Sequence, residues 1–199
     1  MSSYNEKAKQ SFLTRLRFFR FYCVVNDLSF TKENFLTFKT ENHENLITVY
    51  TAQYSQWHRK DRLEDIPKKL SVQDAYEAME QLIISDETDW YNDYFEQFKD
   101  RYPYQIFENQ AKADTCEYCK ITIDVINQLA DKKKIFKKTY QRGYTMEIDR
   151  KKPNLEYTTE NCVPCCYWCN NAKTDEFNDK EFIPIAIEIR KALENRLEK

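Results

Sequence analysis

The spacing of apolar residues predicts that the first half of the chain is helical. Within residues 4–25, apolar side chains recur at three- and four-residue intervals, at Phe12, Leu16, Phe19 and Cys23. That period predicts an amphipathic helix with one face in the core. The same segment carries four basic residues, Lys9, Arg15, Arg17 and Arg20. We interpret them as a solvated face, and the alternative is a helix that lies along nucleic acid.

Further helices are predicted between residues 31 and 100. Thr31 and Ser71 each precede a helical pattern, and their hydroxyl groups are suited to N-cap it. A longer helix is predicted over residues 44–59, and another over residues 87–100, which Pro103 should close. The aromatic residues of this half follow the helical period, so we assign them to the core rather than to base stacking.

The pattern changes after Cys116, where short elements of both kinds are predicted. In order, they are a helix over 121–134, a strand over 144–148, a turn over 154–157, a returning strand over 162–164, a helix beginning near Cys169, and a last helix capped by Asp179, with Pro184 bending or delaying its first turns. The chain is therefore predicted to be α+β and mainly helical. Residues 1–110 should form a helical region, and residues 111–199 a second domain.

Composition narrows the class of protein. The chain has 199 residues, a formal net charge of -2 and a single glycine, Gly143, which argues against a glycine-rich phosphate loop. No apolar run approaches the roughly 20 residues that a membrane span needs. The first residues, MSSYNEKAKQ, lack the apolar core of a signal peptide. We therefore expect a cytoplasmic protein that does not bind a membrane.

Cysteine spacing predicts a zinc site. Six of the seven cysteines fall in order into Cys-x-x-Cys pairs, which begin at Cys116, Cys162 and Cys166, and this spacing favours a metal site in a reducing compartment. We assign a structural Zn2+ to Cys116, Cys119, Cys166 and Cys169, because Cys169 leads straight into a predicted helix. Spacing alone leaves Cys162 and Cys165 as the alternative second pair. A site closed by four cysteines has no open position, so any catalysis must lie beside it.

Oxygen ligands for a second metal ion lie next to these cysteines. Asp149 lies on or near the predicted first strand, and Asn170 directly follows Cys169. A carboxylate and an amide oxygen are ligands that suit Mg2+ or Mn2+, and such an ion can stabilise charge on a phosphodiester under attack. Asn161 is expected to brace the turn by bonding backbone groups. The alternative is that Asp149 and Asn170 are ordinary surface or capping residues.

Basic residues crowd the same region. Between residues 132 and 152 only Glu147 and Asp149 are acidic, so the local charge is strongly positive. A solvated lysine run is one interpretation, but a basic cluster beside a metal-binding carboxylate favours contact with phosphate. We expect nucleic-acid contacts from three lysines, Lys151, Lys152 and Lys173.

These motifs together resemble the HNH endonuclease family, the ββα-metal (His-Me finger) nucleases with a treble-clef zinc site. The resemblance covers about Cys116 to Asp179 and rests on Cys-x-x-Cys, Ile-Asp149-Arg, Thr-x-Glu-Asn161 and Cys-x-x-Cys-Asn170-x-x-Lys173. It implies that Asp149 binds the catalytic metal, that Asn161 orders the loop and that Asn170 completes the metal site. It also implies hydrolysis of DNA phosphodiester bonds with Mg2+ or another divalent ion.

Arg150 departs from that resemblance, because the family has its general-base histidine at this position. An arginine cannot lose its proton near neutral pH, and the only histidines are His43 and His58. Three explanations compete. Water is activated by the metal or by the substrate while Arg150 binds a phosphate; His58 is delivered from the helical region; or the domain binds nucleic acid without cleaving it.

The sequence thus predicts a metal-dependent DNA endonuclease, whose residues 1–110 contact the substrate or a partner. The resemblance places such genes in phage, restriction or defence functions. The alternative is a catalytically degenerate, zinc-dependent nucleic-acid-binding protein, and a third hypothesis is an interaction module assembled with a protein partner. RNA as substrate and a homodimer both stay open.

Overall fold

Helices dominate the structure, a computed structural model that describes residues 3–54, 62–63, 66, 68–135 and 142–198. The helices are α1 (Tyr4–Asn26), α2 (Lys32–Thr37), α3 (Glu44–Val49), α4 (Val72–Glu80), α5 (Glu87–Arg101), α6 (Tyr104–Ala111), α7 (Ile123–Asp131), α8 (Tyr167–Lys173) and α9 (Asp179–Glu198). The strands are β1 (Glu147–Arg150) and β2 (Cys162–Cys165). The prediction of an α+β, mainly helical chain is confirmed.

The chain divides into two units. The first comprises Met1–Lys7, Phe98–Pro153 and Tyr157–Lys199, and the second comprises Ala8–Gln97 and Asn154–Glu156. The candidate site lies in the first unit. The assignment of separate roles to residues 1–110 and 111–199 stays a prediction.

Aromatic rings form much of the core of the second unit. The four apolar residues that predicted α1, namely Phe12, Leu16, Phe19 and Cys23, are all buried, which confirms that helix and its core face. The ring of Phe35 packs against several others, with centroid distances of 5.5 Å to Phe12, 5.8 Å to Phe19 and 5.2 Å to Trp90. The predicted core role of these aromatic residues is confirmed.

One basic residue of α1 is not on a solvated face. The Arg15 side chain is 1% exposed, and its Nε donates to both carboxylate oxygens of Glu156, at 3.1 and 3.2 Å. Tyr94 and Thr40 also donate hydroxyl hydrogen bonds to Glu156. The prediction of a solvated basic face is therefore wrong for Arg15, because a carboxylate from a distant part of the chain neutralises it in the core.

Local signals located some helices correctly. Thr31 and Ser71 are N-caps, and their hydroxyl oxygens accept hydrogen bonds from the backbone of Asn34 and Asp74. The helix predicted over 44–59 is shorter: α3 ends at Val49 and a π-helical turn, Tyr50–Tyr54, follows. Residues 55–59, His58 included, lie outside the described residues.

Other boundaries were wrong or missed. Pro103 does not only close α5; it is also the N-cap residue of α6, which was not predicted. The last helix is capped by Asn178, whose side-chain oxygen accepts from the backbone of Lys180 and Glu181, and Pro184 lies inside it without delaying its start. The helix predicted from Cys169 begins earlier, at Tyr167.

The two strands form a small antiparallel sheet in the first unit. The register pairs Glu147 with Cys165, Ile148 with Pro164, Asp149 with Val163 and Arg150 with Cys162. The first strand was predicted over 144–148, but it runs over Glu147–Arg150 because pairing with β2, rather than local alternation, sets its limits. The core of this unit combines buried cysteines with apolar residues of α7 and α9, among them Ile126, Leu129 and Phe182.

Candidate metal centre and the polar cluster beside it

The first pair of thiols lies in a tight turn before α7. The backbone N–H of Cys116 donates to the Ile121 carbonyl, and the N–H of Lys120 donates to the Cys116 carbonyl, both at 3.0 Å. Lys120 has a φ of 58°, a left-handed conformation that a residue with a side chain adopts at a cost of about 1 kcal/mol. The turn brings the thiols of Cys116 and Cys119 to one side of the backbone.

The second pair opens α8. Cys166 is the N-cap residue of this helix, and its carbonyl accepts from the N–H of Asn170 at 2.9 Å. Cys169 lies within the first turn and is fully buried. The helix therefore holds the two thiols of this pair at a fixed separation.

The four cysteines come together as a metal site requires. Their sulfur atoms all lie within 4.8 Å of one another and all four residues are buried. The sulfur atoms of Cys119 and Cys166 are 3.7 Å apart, and a tetrahedral Zn2+ with bonds of about 2.3 Å would separate its thiolates by about 3.8 Å. Four buried thiols at this spacing could hold a structural metal such as zinc. The set is the one that the sequence analysis preferred.

The remaining pair lies outside the four-sulfur cluster, although Cys165 also interacts with Cys116. Cys162 and Cys165 are buried in β2, and the Cys165 thiol donates to the carbonyl of Cys166 at 3.3 Å. Pro164, between them, lies within the strand. The four clustered sulfur atoms therefore do not include those of the alternative second pair, Cys162 and Cys165.

Interactions among the four thiols shift their pKa values in opposite directions. Hydrogen bonds with Cys116, Cys119 and Cys166, together with burial, raise the pKa of the Cys169 thiol, whereas hydrogen bonds with its neighbours lower the pKa of Cys116. Once one thiol of the cluster is ionised, its negative charge makes ionisation of the other thiols unfavourable. A divalent cation would remove that penalty, because zinc binds cysteine as the thiolate.

Asp149 faces α8 beside the cysteine cluster. Its Oδ2 accepts a hydrogen bond from the Tyr118 hydroxyl at 2.7 Å and lies 3.1 Å from the ammonium of Lys173. The Lys173 side chain is fully buried, and its Nζ also donates to the carbonyl of Arg150 at 2.7 Å. Burial raises the pKa of Tyr118, and the Asp149 carboxylate adds to the rise. Lys173 therefore directs its charge inward, although the sequence analysis expected it to contact nucleic acid.

Asn170 contacts a different carboxylate, that of Glu147. The amide of Asn170 donates to Glu147 Oε2, and Arg142 binds the same carboxylate through two hydrogen bonds of 2.9 and 2.7 Å. Burial by itself raises the pKa of Glu147, but the hydrogen bonds from Arg142 and Asn170 outweigh burial and leave the pKa lowered. The two predicted metal ligands, Asp149 and Asn170, thus have separate partners in this structure.

Glu147 was not among the predicted site residues. The signal that could have found it is its position two residues before Asp149, because alternate residues of a strand share one face. The basic residues around it were interpreted as a phosphate-binding surface, with a solvated lysine run as the alternative. One of them, Arg142, instead neutralises Glu147.

Asn161 braces the connection between the strands. Its side-chain oxygen accepts from the N–H of Lys152 at 2.9 Å, and its side-chain amide donates to the Lys152 carbonyl at 3.2 Å. The N–H of Lys151 donates to the Asn161 carbonyl at 2.7 Å. These are the backbone contacts that were predicted for Asn161.

Arg150 lies at the end of β1. Its guanidinium is 4.9 Å from the centroid of the Tyr157 ring and 4.0 Å from a carboxylate oxygen of Asp175. Lys151 donates to the Glu160 carbonyl at 2.8 Å, and Lys152 is exposed. Of the two histidines, His43 belongs to the second unit and stacks on Phe38 with ring centroids 4.8 Å apart.

Comparisons with models of protein families, with curated proteins and with solved structures find no match to this chain. In the part of the chain that the structure describes, none of the helices has the length and apolar character needed to span a membrane.

Proposed function

We propose that the segment from β1 to α8 is the catalytic part of a metal-dependent endonuclease that hydrolyses phosphodiester bonds in DNA. One observation carries the proposal: alternate residues of β1, Glu147 and Asp149, each contact a polar side chain of α8. Cys166 and Cys169 lie at the start of that helix, so a structural zinc would fix the groups beside it. Two antiparallel strands followed by a cysteine-anchored helix support the resemblance to HNH endonucleases.

The residues offer suitable ligands for a catalytic divalent ion. Asp149 and Asn170 would hold it, and Glu147 supplies a further carboxylate next to Asn170. Oxygen ligands of this kind suit Mg2+ or Mn2+. When bound, such an ion stabilises the negative charge that builds on a phosphate under attack.

The neighbouring side chains would position the substrate. Arg150 is permanently protonated, so we assign it to binding a phosphate rather than to removing a proton from water. Lys151 and Lys152 continue the basic surface, and Asn161 keeps the connection between the strands in place. DNA is the proposed substrate, with RNA as the alternative. A role in phage, restriction or defence, and contact of residues 1–110 with substrate or a partner, belong to the same proposal.

A plasmid-nicking assay with Mg2+ or Mn2+ tests the proposal. The wild type should convert supercoiled DNA to the nicked form, and Asp149→Ala should lower the rate by at least about a hundredfold, since a charge-stabilising group is worth about that much. Asp131→Ala, which removes an exposed carboxylate at the end of α7, is the matched control and should cleave as the wild type does. Cleavage that survives Asp149→Ala would contradict this site.

A second function is favoured by the position of Lys173. Its ammonium lies 3.1 Å from Asp149 Oδ2, where a metal ion would otherwise supply positive charge. A site neutralised in this way suits a zinc-dependent protein that binds nucleic acid without cleaving it. Wild-type protein that binds DNA but nicks no plasmid with either metal ion would establish this second function over the first.

A further inference from the structure

A buried ammonium group lies against β1 and has no place in the proposed mechanism. The Lys7 residue is only 9% exposed, and its Nζ donates to the Ile148 carbonyl at 3.3 Å and to the Tyr157 hydroxyl at 3.1 Å. Both acceptors are uncharged. Among the described residues, Lys7 makes no ion pair. A buried charge ordinarily has an opposite charge as its partner, because desolvation costs several kcal/mol.

The fold accounts for part of the position of Lys7. Ile148 lies opposite Pro164 in the sheet, and the Lys151 N–H donates to the Asn161 carbonyl three residues further along. Because hydrogen-bonded and non-hydrogen-bonded pairs alternate in an antiparallel ladder, the Ile148 carbonyl points away from β2 and takes no hydrogen bond from it. Lys7 donates to that carbonyl instead. A neutral donor would do the same at a lower desolvation cost, so the backbone contact does not explain why the residue is charged.

A second cation lies against the same aromatic ring. The Lys7 ammonium is 4.6 Å, and the Arg150 guanidinium 4.9 Å, from the centroid of the Tyr157 ring. An acidic group near Arg150 is Asp175, 4.0 Å away and with a side chain that is 84% exposed. Burial raises the pKa of Cys162 to about 12, and the charges of Lys7 and Arg150 both oppose that rise. The two cations therefore act on the same small region at the end of β1.

We propose that Lys7 and Arg150 together form a subsite for one phosphate group of a nucleic-acid backbone. This subsite rests on the proposed function, since its ligand is the backbone of the nucleic acid that the protein is proposed to cleave. The charge of Lys7 acts on the Glu147 carboxylate without forming an ion pair with it. A phosphate would give Lys7 a directly bonded anionic partner, and its oxygen atoms would accept hydrogen bonds from both cations. Lys7, which precedes the HNH-like segment by more than 100 residues, thereby becomes a positioning residue for the substrate.

The salt dependence of DNA binding tests the subsite. Binding of a short labelled DNA duplex is measured by fluorescence anisotropy over a series of salt concentrations, without added Mg2+ or Mn2+. Each phosphate contact that is lost should reduce the slope of log K against log salt by about one. We expect this reduction, with roughly tenfold weaker binding, for Lys7→Met and for Arg150→Met. Lys7→Arg should keep the wild-type slope.

Controls separate a phosphate contact from a structural role. Lys191→Met removes an exposed lysine of α9 and should leave the slope unchanged. Zinc content and the thermal transition of each variant show whether it has folded. If Lys7→Met does not fold, Arg150→Met alone tests the subsite. An unchanged slope in that variant then overturns it. Stabilisation of the wild type, but not of Lys7→Met, by inorganic phosphate alone would indicate a free-anion site and overturn the assignment to nucleic acid.

The outcomes distinguish this inference from the proposed function. Reduced slopes in a protein that never nicks DNA would support the subsite and contradict the endonuclease. Nicking by the wild type with unchanged slopes in both methionine variants would support the endonuclease and contradict the subsite.

Discussion

Single residues decide the electrostatics of both units. Arg15 is buried with Glu156 in the second unit, and Lys173 is buried with Asp149 in the first. Removing one partner of such a pair leaves a charge with neither water nor a counter-charge, at a cost of about 3–5 kcal/mol. Exposed pairs such as Lys191 with Glu188 contribute at most about 1 kcal/mol.

Lys173→Met should lower the free energy of unfolding by about 3 kcal/mol, because it leaves Asp149 and the Arg150 carbonyl without the ammonium. Urea denaturation of the zinc-loaded protein measures the change. Lys191→Met is the control and should stay within about 0.5 kcal/mol of the wild type. Equal stability of the two variants would mean that the buried pair with Asp149 does not form.

Glu156→Gln should lower the free energy of unfolding by about 3 kcal/mol. The substitution keeps the shape of the side chain but leaves the buried guanidinium of Arg15 without its counter-charge. The same denaturation experiment checks it. Glu160→Gln, at an exposed position in the same connection, should have little effect, and a comparable loss there would contradict the argument from burial.

At the scale of single residues, sequence patterns identify residues whose chemistry suits a site, but not the side chains that those residues contact. Asp149 and Asn170 stand out because their oxygen atoms can bind metal, yet their contacts with Lys173 and Glu147 depend on how α8 packs on β1. In the same way, nothing local in α1 distinguishes Arg15, which is buried, from the exposed Lys9. The burial of a charge is decided by the carboxylate that reaches it, and Glu156 is 141 positions away.

At the scale of elements, local chemistry was sufficient to predict the structure wherever an N-cap residue or the spacing of metal ligands fixes the backbone. Thr31 and Ser71 were predictable N-caps because the hydroxyl of each bonds an N–H three residues later. Helix α6 was missed because Pro103 has two roles, ending one helix and beginning the next. The limits of β1 could not be predicted locally, since they follow from its register with β2.

The cysteine assignment predicts which cysteine substitutions remove the bound zinc. Serine variants of Cys116, Cys119, Cys166 or Cys169 should lose most of the bound zinc, whereas Cys162→Ser should retain about one zinc ion per chain, because its sulfur lies outside the cluster. Metal analysis of the purified variants measures this directly. Loss of zinc from Cys162→Ser alone would instead support Cys162 and Cys165 as the second pair of ligands.

At the scale of the whole molecule, the first unit is assembled from segments that are distant in sequence. Tyr4 packs against Phe98 and Phe107, with ring centroids 5.3 and 5.4 Å away, and its hydroxyl donates to the Tyr102 carbonyl at 2.6 Å. The hydrophobic pattern marks each of these residues as apolar but cannot show that the start of α1 packs in the same unit as α6. Hydrogen bonds cross residue 110 within this unit, since Gln110 donates to the Cys162 carbonyl at 2.9 Å and Lys7 to the Ile148 carbonyl at 3.3 Å.

A fragment of residues 111–199 should therefore bind zinc but unfold at a lower temperature than the first unit of the full chain. It lacks Tyr4, Lys7 and the aromatic residues from Phe98 to Phe107, which pack within that unit. Thermal unfolding followed by circular dichroism, with zinc content matched, makes the comparison. A fragment that is as stable as the full chain would support independent folding of residues 111–199.

The spacing of the two cysteine pairs also sets an order of events during synthesis. Cys119 and Cys166 are 47 positions apart, so a nascent chain carries two reduced, unpartnered thiols for as long as the intervening residues take to be made. At roughly 5–20 residues per second that interval lasts several seconds. During this time the first pair is open to oxidation or to a wrong metal, and the site closes only when α8 has emerged. The yield of folded protein should then depend on the zinc and thiol status of the cell while translation proceeds.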